Sequence, residues 1–163
     1  MEDKPVLEKV FNEDLNIEEL IKEGGILARL YIEVQGNDRE ISKEALNTTV
    51  FERLSNEPNV SLLEVKLYDL KKEDDKDEFY TGVVEIKLIA HDFRWLVNTV
   101  MRYGPTAIEI IEPEEVHLSS DQMHSIVADV SSTSQMLSSQ LLSLLKDDER
   151  RAIYEKILEK KDF

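Results

Sequence analysis

The chain has 163 residues, 41% of them hydrophobic, enough for one sizeable core, and predicts a single domain with a helical appendage. Acidic residues outnumber basic ones 35 to 20, for a formal net charge of -15 at pH 7. With no basic cluster to offset it, that charge repels a phosphate backbone and argues against nucleic acid as a partner. The absence of cysteine excludes disulfides and thiolate metal sites, and no apolar run approaches the roughly 20 residues of a membrane-spanning helix. The opening MEDKPVLEKV carries early acids and no apolar core, unlike a leader peptide, so the expectation is a cytoplasmic protein.

Residues 1–25 form an acidic N-terminal segment, in which 5–23 predict one or two helical turns. There Ile17, Leu20 and Ile21 follow a cap at Asn16, and Gly24-Gly25 closes the segment. Residues 27–35, LARLYIEVQ, alternate Ala28, Leu30, Ile32 and Val34 against Arg29, Tyr31, Glu33 and Gln35, as a strand covered on one face does. Gly36 ends it, and Asn37 with Glu40 offers a capping box for a helix. That helix carries its stripe on Ile41, Ala45, Val50 and Leu54, with Leu46 and Phe51, as far as Pro58.

Alternation returns at 60–70, with Leu63, Val65 and Leu67 facing one way and Glu64, Lys66 and Tyr68 the other. After the charged run KKEDDKDE, it returns again at 79–90, where Val84, Ile86 and Leu88 oppose Glu85 and Lys87. The pair predicts a hairpin with a solvated tip. Asp92 then caps a helix with a stripe of Phe93, Leu96, Val97, Val100 and Met101, beside which Trp95 is half buried. Gly104 closes this helix, Pro105 prevents its continuation, and a strand at 107–111 stops at Pro113. The order over residues 26–116 is strand, helix, strand, strand, helix, strand. It predicts an α+β, ferredoxin-like βαββαβ antiparallel sheet with both helices on one face.

Residues 117–163 form a C-terminal helical region, a long helix followed by a short helical tail. The stretch 119–145 holds nine serines and two charges, Asp121 and Asp129. Met123, Val127, Val130, Ser134, Leu137, Leu141 and Leu144 follow steps of four and three, the spacing of a coiled-coil seam. One reading lays this helix over the domain's own sheet. The preferred reading pairs it with a second copy, making a homodimer.

No nucleophile elbow, phosphate loop or dinucleotide fingerprint is present, so no catalytic residue, metal or cofactor is expected. His117 and His124 are two helical turns apart, too far to share a metal on a straight helix. His91 beside Asp92 fits a helix start. The run at 73–78 lacks the alternating ligands of a calcium loop, and Glu109, Glu112, Glu114 and Glu115 fit a charged strand edge. Tyr31 and Tyr68 lack the basic-glycine-aromatic motif of an RNA-recognition sheet.

The text HDFRWLVNTVMRYGPTAIEIIEPEEV at the last helix-strand junction resembles the C-terminal extension of WYL-domain transcriptional regulators. The DNA-binding part of such regulators has no counterpart here, so the resemblance implies no regulator activity. In full layout the chain is similar to small uncharacterised archaeal proteins, which implies a standalone ferredoxin-like fold and no activity. Three functions follow in order. The first is a non-enzymatic module that self-associates through the 119–145 helix and presents an acidic surface to a protein partner. The second is a small-molecule sensor resembling amino-acid-binding regulatory domains, with Gly36, Asn37 and Asp38 holding an anion. The third is an enzyme whose site is assembled at the sheet or dimer interface, from groups such as His91, Asp92 and Glu109.

Overall fold

The computed structural model describes residues 4–72 and 79–159. It is a mixed α+β structure in which one antiparallel sheet of six strands carries five α-helices. The strands are β1 (Leu7–Val10), β2 (Ile26–Gly36), β3 (Val60–Leu67), β4 (Lys71–Lys72), β5 (Tyr80–Ala90) and β6 (Ala107–Glu112). The helices are α1 (Ile17–Lys22), α2 (Arg39–Asn47), α3 (Phe93–Tyr103), α4 (Ser120–Leu144) and α5 (Asp147–Glu159). Across the sheet the order is β1-β3-β5-β2-β6, with the two-residue β4 pairing to β5. The acidic run at 73–78 lies outside the described residues.

Alternation decides which side chains enter the core. Ala28, Leu30 and Ile32 of β2 pair with Leu88, Ile86 and Val84 of β5, and all six are buried on the face that receives Leu46, Val50 and Leu54 from one side and Leu96 from α3. In β3 the register shifts between Leu62 and Glu64, so Leu62 is buried and the expected core residue Leu63 is only half buried. A bulge here lets the strand keep Leu62, Val65 and Leu67 inward although their spacing breaks period two. Inward positions on β6 are covered less well: Ile108 pairs with Leu30 and Ile110 with Ala28, yet both remain about half exposed.

Three local expectations are corrected. Residues 7–10 form no helical turn. They add a strand beside β3, tied by Val6 N–H to Leu67 O and Phe11 N–H to Leu63 O, while Lys9 lies over the rings of Phe11 and Phe51. Only the second half of the segment is helical, with Asn16 accepting from Glu19 N–H as its cap. The second correction concerns the helix after β2. It is capped by Asp38, which accepts from Ile41 N–H, and its regular part ends at Asn47.

A π-helical turn (Thr48–Arg53) and a 3-10 turn (Leu54–Asn56) continue it. The buried residues Ser42, Leu46, Val50 and Leu54 are spaced by four throughout, a spacing that drifts about 40° per step around a regular helix. The wider π turn takes up that drift and keeps Val50 and Leu54 on the sheet side. The expected stripe residues Ile41 and Ala45 are exposed, which is the third correction. By contrast α3 follows expectation: Asp92 accepts from Trp95 N–H, Leu96 is buried, Trp95 is half buried, and Gly104 closes the helix at φ 55°.

Candidate functional site

The long helix α4 begins at a reciprocal cap, in which Ser119 Oγ accepts from Gln122 N–H and Gln122 Oε1 accepts from Ser119 N–H. Eight serines make its body a poor intrinsic helix former, so its order depends on what it packs against. It packs against α3, and no residue of it is buried. The reading that laid this helix over the sheet is therefore replaced by one in which α3 lies between them. A polar clamp ties the two helices.

Asp129 receives two hydrogen bonds from Arg94, Nε to Oδ2 at 2.6 Å and Nη2 to Oδ1 at 3.0 Å, and a third from Asn98 Nδ2 at 2.9 Å. Arg94 and Asn98 are one turn apart on the face of α3 turned away from the sheet, so a single carboxylate closes a three-bond clamp. The hydrogen bonds from Arg94 and then Asn98 draw the Asp129 carboxyl down to about 2, and the Asp129 carboxylate raises Arg94 in turn. Around Asp129 the half-buried positions of α4 are Ser125, Ile126 and Thr133, which define the docked face.

The seam residues lie off that face. Met123, Val127, Val130, Leu137, Leu141 and Leu144 are exposed, from 36% at Val130 to 81% at Leu144. The helix is thus fixed from one side by a polar contact and leaves an uncharged, apolar stripe about 30 Å long on another. On a chain of net charge -15, such a stripe is where a like-charged molecule meets least repulsion.

The other candidate residues are engaged locally. The Asp38 side chain occupies the Ile41 amide, and a Cβ on Gly36 would stand 2.5 Å from Ser42 Oγ, so the glycine lets the buried Ser42 close against β2. His91 donates its backbone N–H to Asn59 O and Asp92 caps α3, while Glu109 belongs to the sheet face that bears no α2 or α3. There Arg29 bonds Glu109, and its Nε lies 3.1 Å from Glu85 but out of line for a hydrogen bond. Burial disfavours the Arg29 charge, but the carboxylates of Glu109 and Glu85 outweigh it and raise the group. Glu109 is therefore half of an ion pair rather than a bare edge charge. Among the described residues no group of three or more His, Asp or Glu is placed to hold a metal ion, and no helix is long and apolar enough to cross a membrane.

A second polar knot ties α3 to the end of the π and 3-10 turns. Tyr103 Oη and Arg102 Nη1 both donate to Glu57 Oε1 at 2.6 Å. Burial alone would raise the Glu57 carboxyl, yet these two bonds hold it below its ordinary value. Burial, joined by the bond to Glu57, pushes Tyr103 up to about 12. Neither this knot nor the Asp129 clamp was anticipated from the sequence. The one available signal was Asp129 itself, the single charge of α4 beyond its first turn.

The sequence model of the MJ0538 family matches residues 27–157, which take in β2 to β6, the whole of α4 and most of α5. The chain belongs to the MJ0538 family. A relative described as "Uncharacterized protein MJ0538", from Methanocaldococcus jannaschii, is 31% identical over 98 residues. That alignment takes in 59% of this chain and 35% of the relative, so the chain spans about a third of the curated protein it matches. No solved structure matches. The expected kinship with archaeal proteins is borne out, whereas the resemblance to WYL regulators gains no support. The matched span contains every seam residue and all three members of the Asp129 clamp, so the candidate surface lies inside the family's own region.

Proposed function

We propose that the chain is a non-enzymatic interaction module, built on a ferredoxin-like unit, that self-associates through α4. The ferredoxin-like reading is supported by the antiparallel order β3-β5-β2-β6, with α2 and α3 as the crossovers and one core between helices and sheet. A non-enzymatic role is favoured by the state of the carboxylates a reaction would recruit: Glu109 is paired with Arg29, Glu57 with Tyr103 and Arg102, and Asp92 with a helix amide.

Self-association rests on one observation, the bare heptad seam on a helix already held from its other face. Knobs at a/d spacing gain their burial only from a second helix, and each large aliphatic side chain fully removed from water contributes roughly 1.5–3 kcal/mol. The occupant of best fit is another copy, because seven seam positions over 22 residues match a helix of the same spacing and the stripe carries no charge to repel it.

Sedimentation velocity over a range of protein concentrations tests this. The native chain is expected to move from monomer to dimer, and Leu141→Glu to weaken that dimer at least tenfold, about 1.4 kcal/mol, by placing a charge against an apolar wall. A native chain that stays monomeric throughout sinks the reading.

A further inference from the structure

We infer that β6 is the docking edge for an extended segment of another protein, one that alternates apolar with basic residues and adds to the sheet as a further strand. The two edges of the sheet are unequal. At one end β1 has four residues, and Lys9, opposite the buried Val65, turns its ammonium to the core side over Phe11 and Phe51. An inward lysine on a short edge strand keeps a further strand away. At the other end β6 has six residues, pairs with β2 alone, and contains neither lysine nor proline. Its core-side residues are Ile108 and Ile110, which stay 47% and 49% exposed. A strand laid beside them would extend the apolar layer that Leu30 and Ala28 begin, and would complete hydrogen bonds along the backbone edge turned away from β2.

Charge decides the occupant. The other side of β6 carries Glu109 and Glu112, Glu114 and Glu115 follow beyond Pro113, and all four are exposed. Arg29 of β2 bonds Glu109, whereas Glu112, Glu114 and Glu115 form no ion pair among the described residues. Residues 103–145 contain six acids and no lysine or arginine, so the segment holding β6 cannot neutralise itself. A second copy of β6 is disfavoured here, because it would bring the same acidic side across the joint, and like charges on neighbouring strands repel. Lysine or arginine at alternate positions of an incoming strand meets these carboxylates instead, and the net charge of -15 draws such a segment in. The edge shares no residue with the α4 seam, so the inference stands apart from the self-association proposed above.

Fluorescence anisotropy of a labelled peptide of alternating lysine and valine, Lys-Val-Lys-Val-Lys-Val-Lys, tests this in about 0.15 M salt. The full chain carries Leu141→Glu, so that self-association does not enter. Saturable binding is expected, and Ile110→Lys, which sets an inward charge on β6 as Lys9 does on β1, is expected to weaken it at least tenfold. The same peptide N-methylated at alternate residues keeps its charge but loses its edge hydrogen bonds, and is expected to bind at least tenfold more weakly as well. That comparison needs no change to β6, so it decides the matter even where Ile110→Lys impairs folding. Equal binding by the methylated peptide, or by one with the lysines grouped at one end, would overturn the inference by showing only a general attraction to an acidic chain. No saturable binding up to about 1 mM peptide would overturn it too. Loss of self-association on placing Ile110→Lys in the otherwise native chain would assign the edge to a second copy and overturn the basic partner.

Discussion

Replacing Asp129 by Ala removes all three bonds of the clamp. A hydrogen bond to a charged group contributes about 1.5–3 kcal/mol, and partial exposure, 42% for Arg94 and 25% for Asp129, reduces what the pair contributes through solvent screening. A loss of about 1–2 kcal/mol in the docking of α4 is expected. The loss is local, because α4 contributes no buried residue to the core and its departure opens no cavity. Hydrogen exchange therefore reads it better than thermal melting.

With Leu141→Glu as the common background, to remove protection from self-association, Asp129→Ala is expected to raise amide exchange across α4 roughly five- to thirtyfold, at 1.4 kcal/mol per factor of ten. Exchange in β2 and β5 stays at the background rate. Equal acceleration in the strands and in α4 would refute the reasoning, because it would mean that the clamp supports the whole domain. Unchanged exchange in α4 would refute it the other way, by showing that apolar contacts at Ile126 suffice to hold the helix.

Gly36→Ala is expected to lower the melting temperature by driving its new methyl against Ser42 Oγ, a cost of about 1–3 kcal/mol typical of overpacking, and Ser42→Gly in the same chain is expected to recover part of it. A drop that Ser42→Gly leaves untouched would assign Gly36 another role, the anion site included. Tyr103 gives the alkaline prediction. Its folded value near 12 lies above its unfolded value near 10, so the folded state keeps a proton that the unfolded state releases, and stability present below pH 10 is lost as pH rises toward 12. Solvent screening of this partly buried group reduces the loss to about 1 kcal/mol, and urea unfolding at pH 9 and pH 11.5 should show a larger loss in the native chain than in Tyr103→Phe.

The central strands and α3 were legible because burial there is one-sided and complete. Ala28, Leu30 and Ile32, like Val84, Ile86 and Leu88, are within 6% of full burial, so a period of two survives in the sequence without interruption. The strand β1 lacks that mark. All four of its residues are exposed, and its pairing is made by backbone groups that any residue carries. Leu63 and the π turn failed for a related reason: both are places where the chain breaks its own period so that residues on either side reach the core, and a periodic template reads the rule and not the exception.

The candidate site divides along the same line. Its apolar half was legible, since a seam is a spacing and spacing is what sequence records. Its polar half was not, because the clamp is a contact between residues 31 and 35 positions apart whose partners belong to two helices, and nothing in either helix names the other. The two halves are nevertheless linked physically. A serine-rich helix with an exposed apolar face is a weak structure alone, and in an isolated peptide it would lose its order before it could present a seam. Fixed to α3 through Asp129, it is ordered before any second copy arrives, so association does not bear the full entropy of forming the helix. Releasing the clamp should then weaken the dimer although Asp129 lies off the seam. Sedimentation of Asp129→Ala in the otherwise native chain is accordingly expected to show a dimer weaker by several-fold, and a dimer of undiminished strength would show that the seam orders itself.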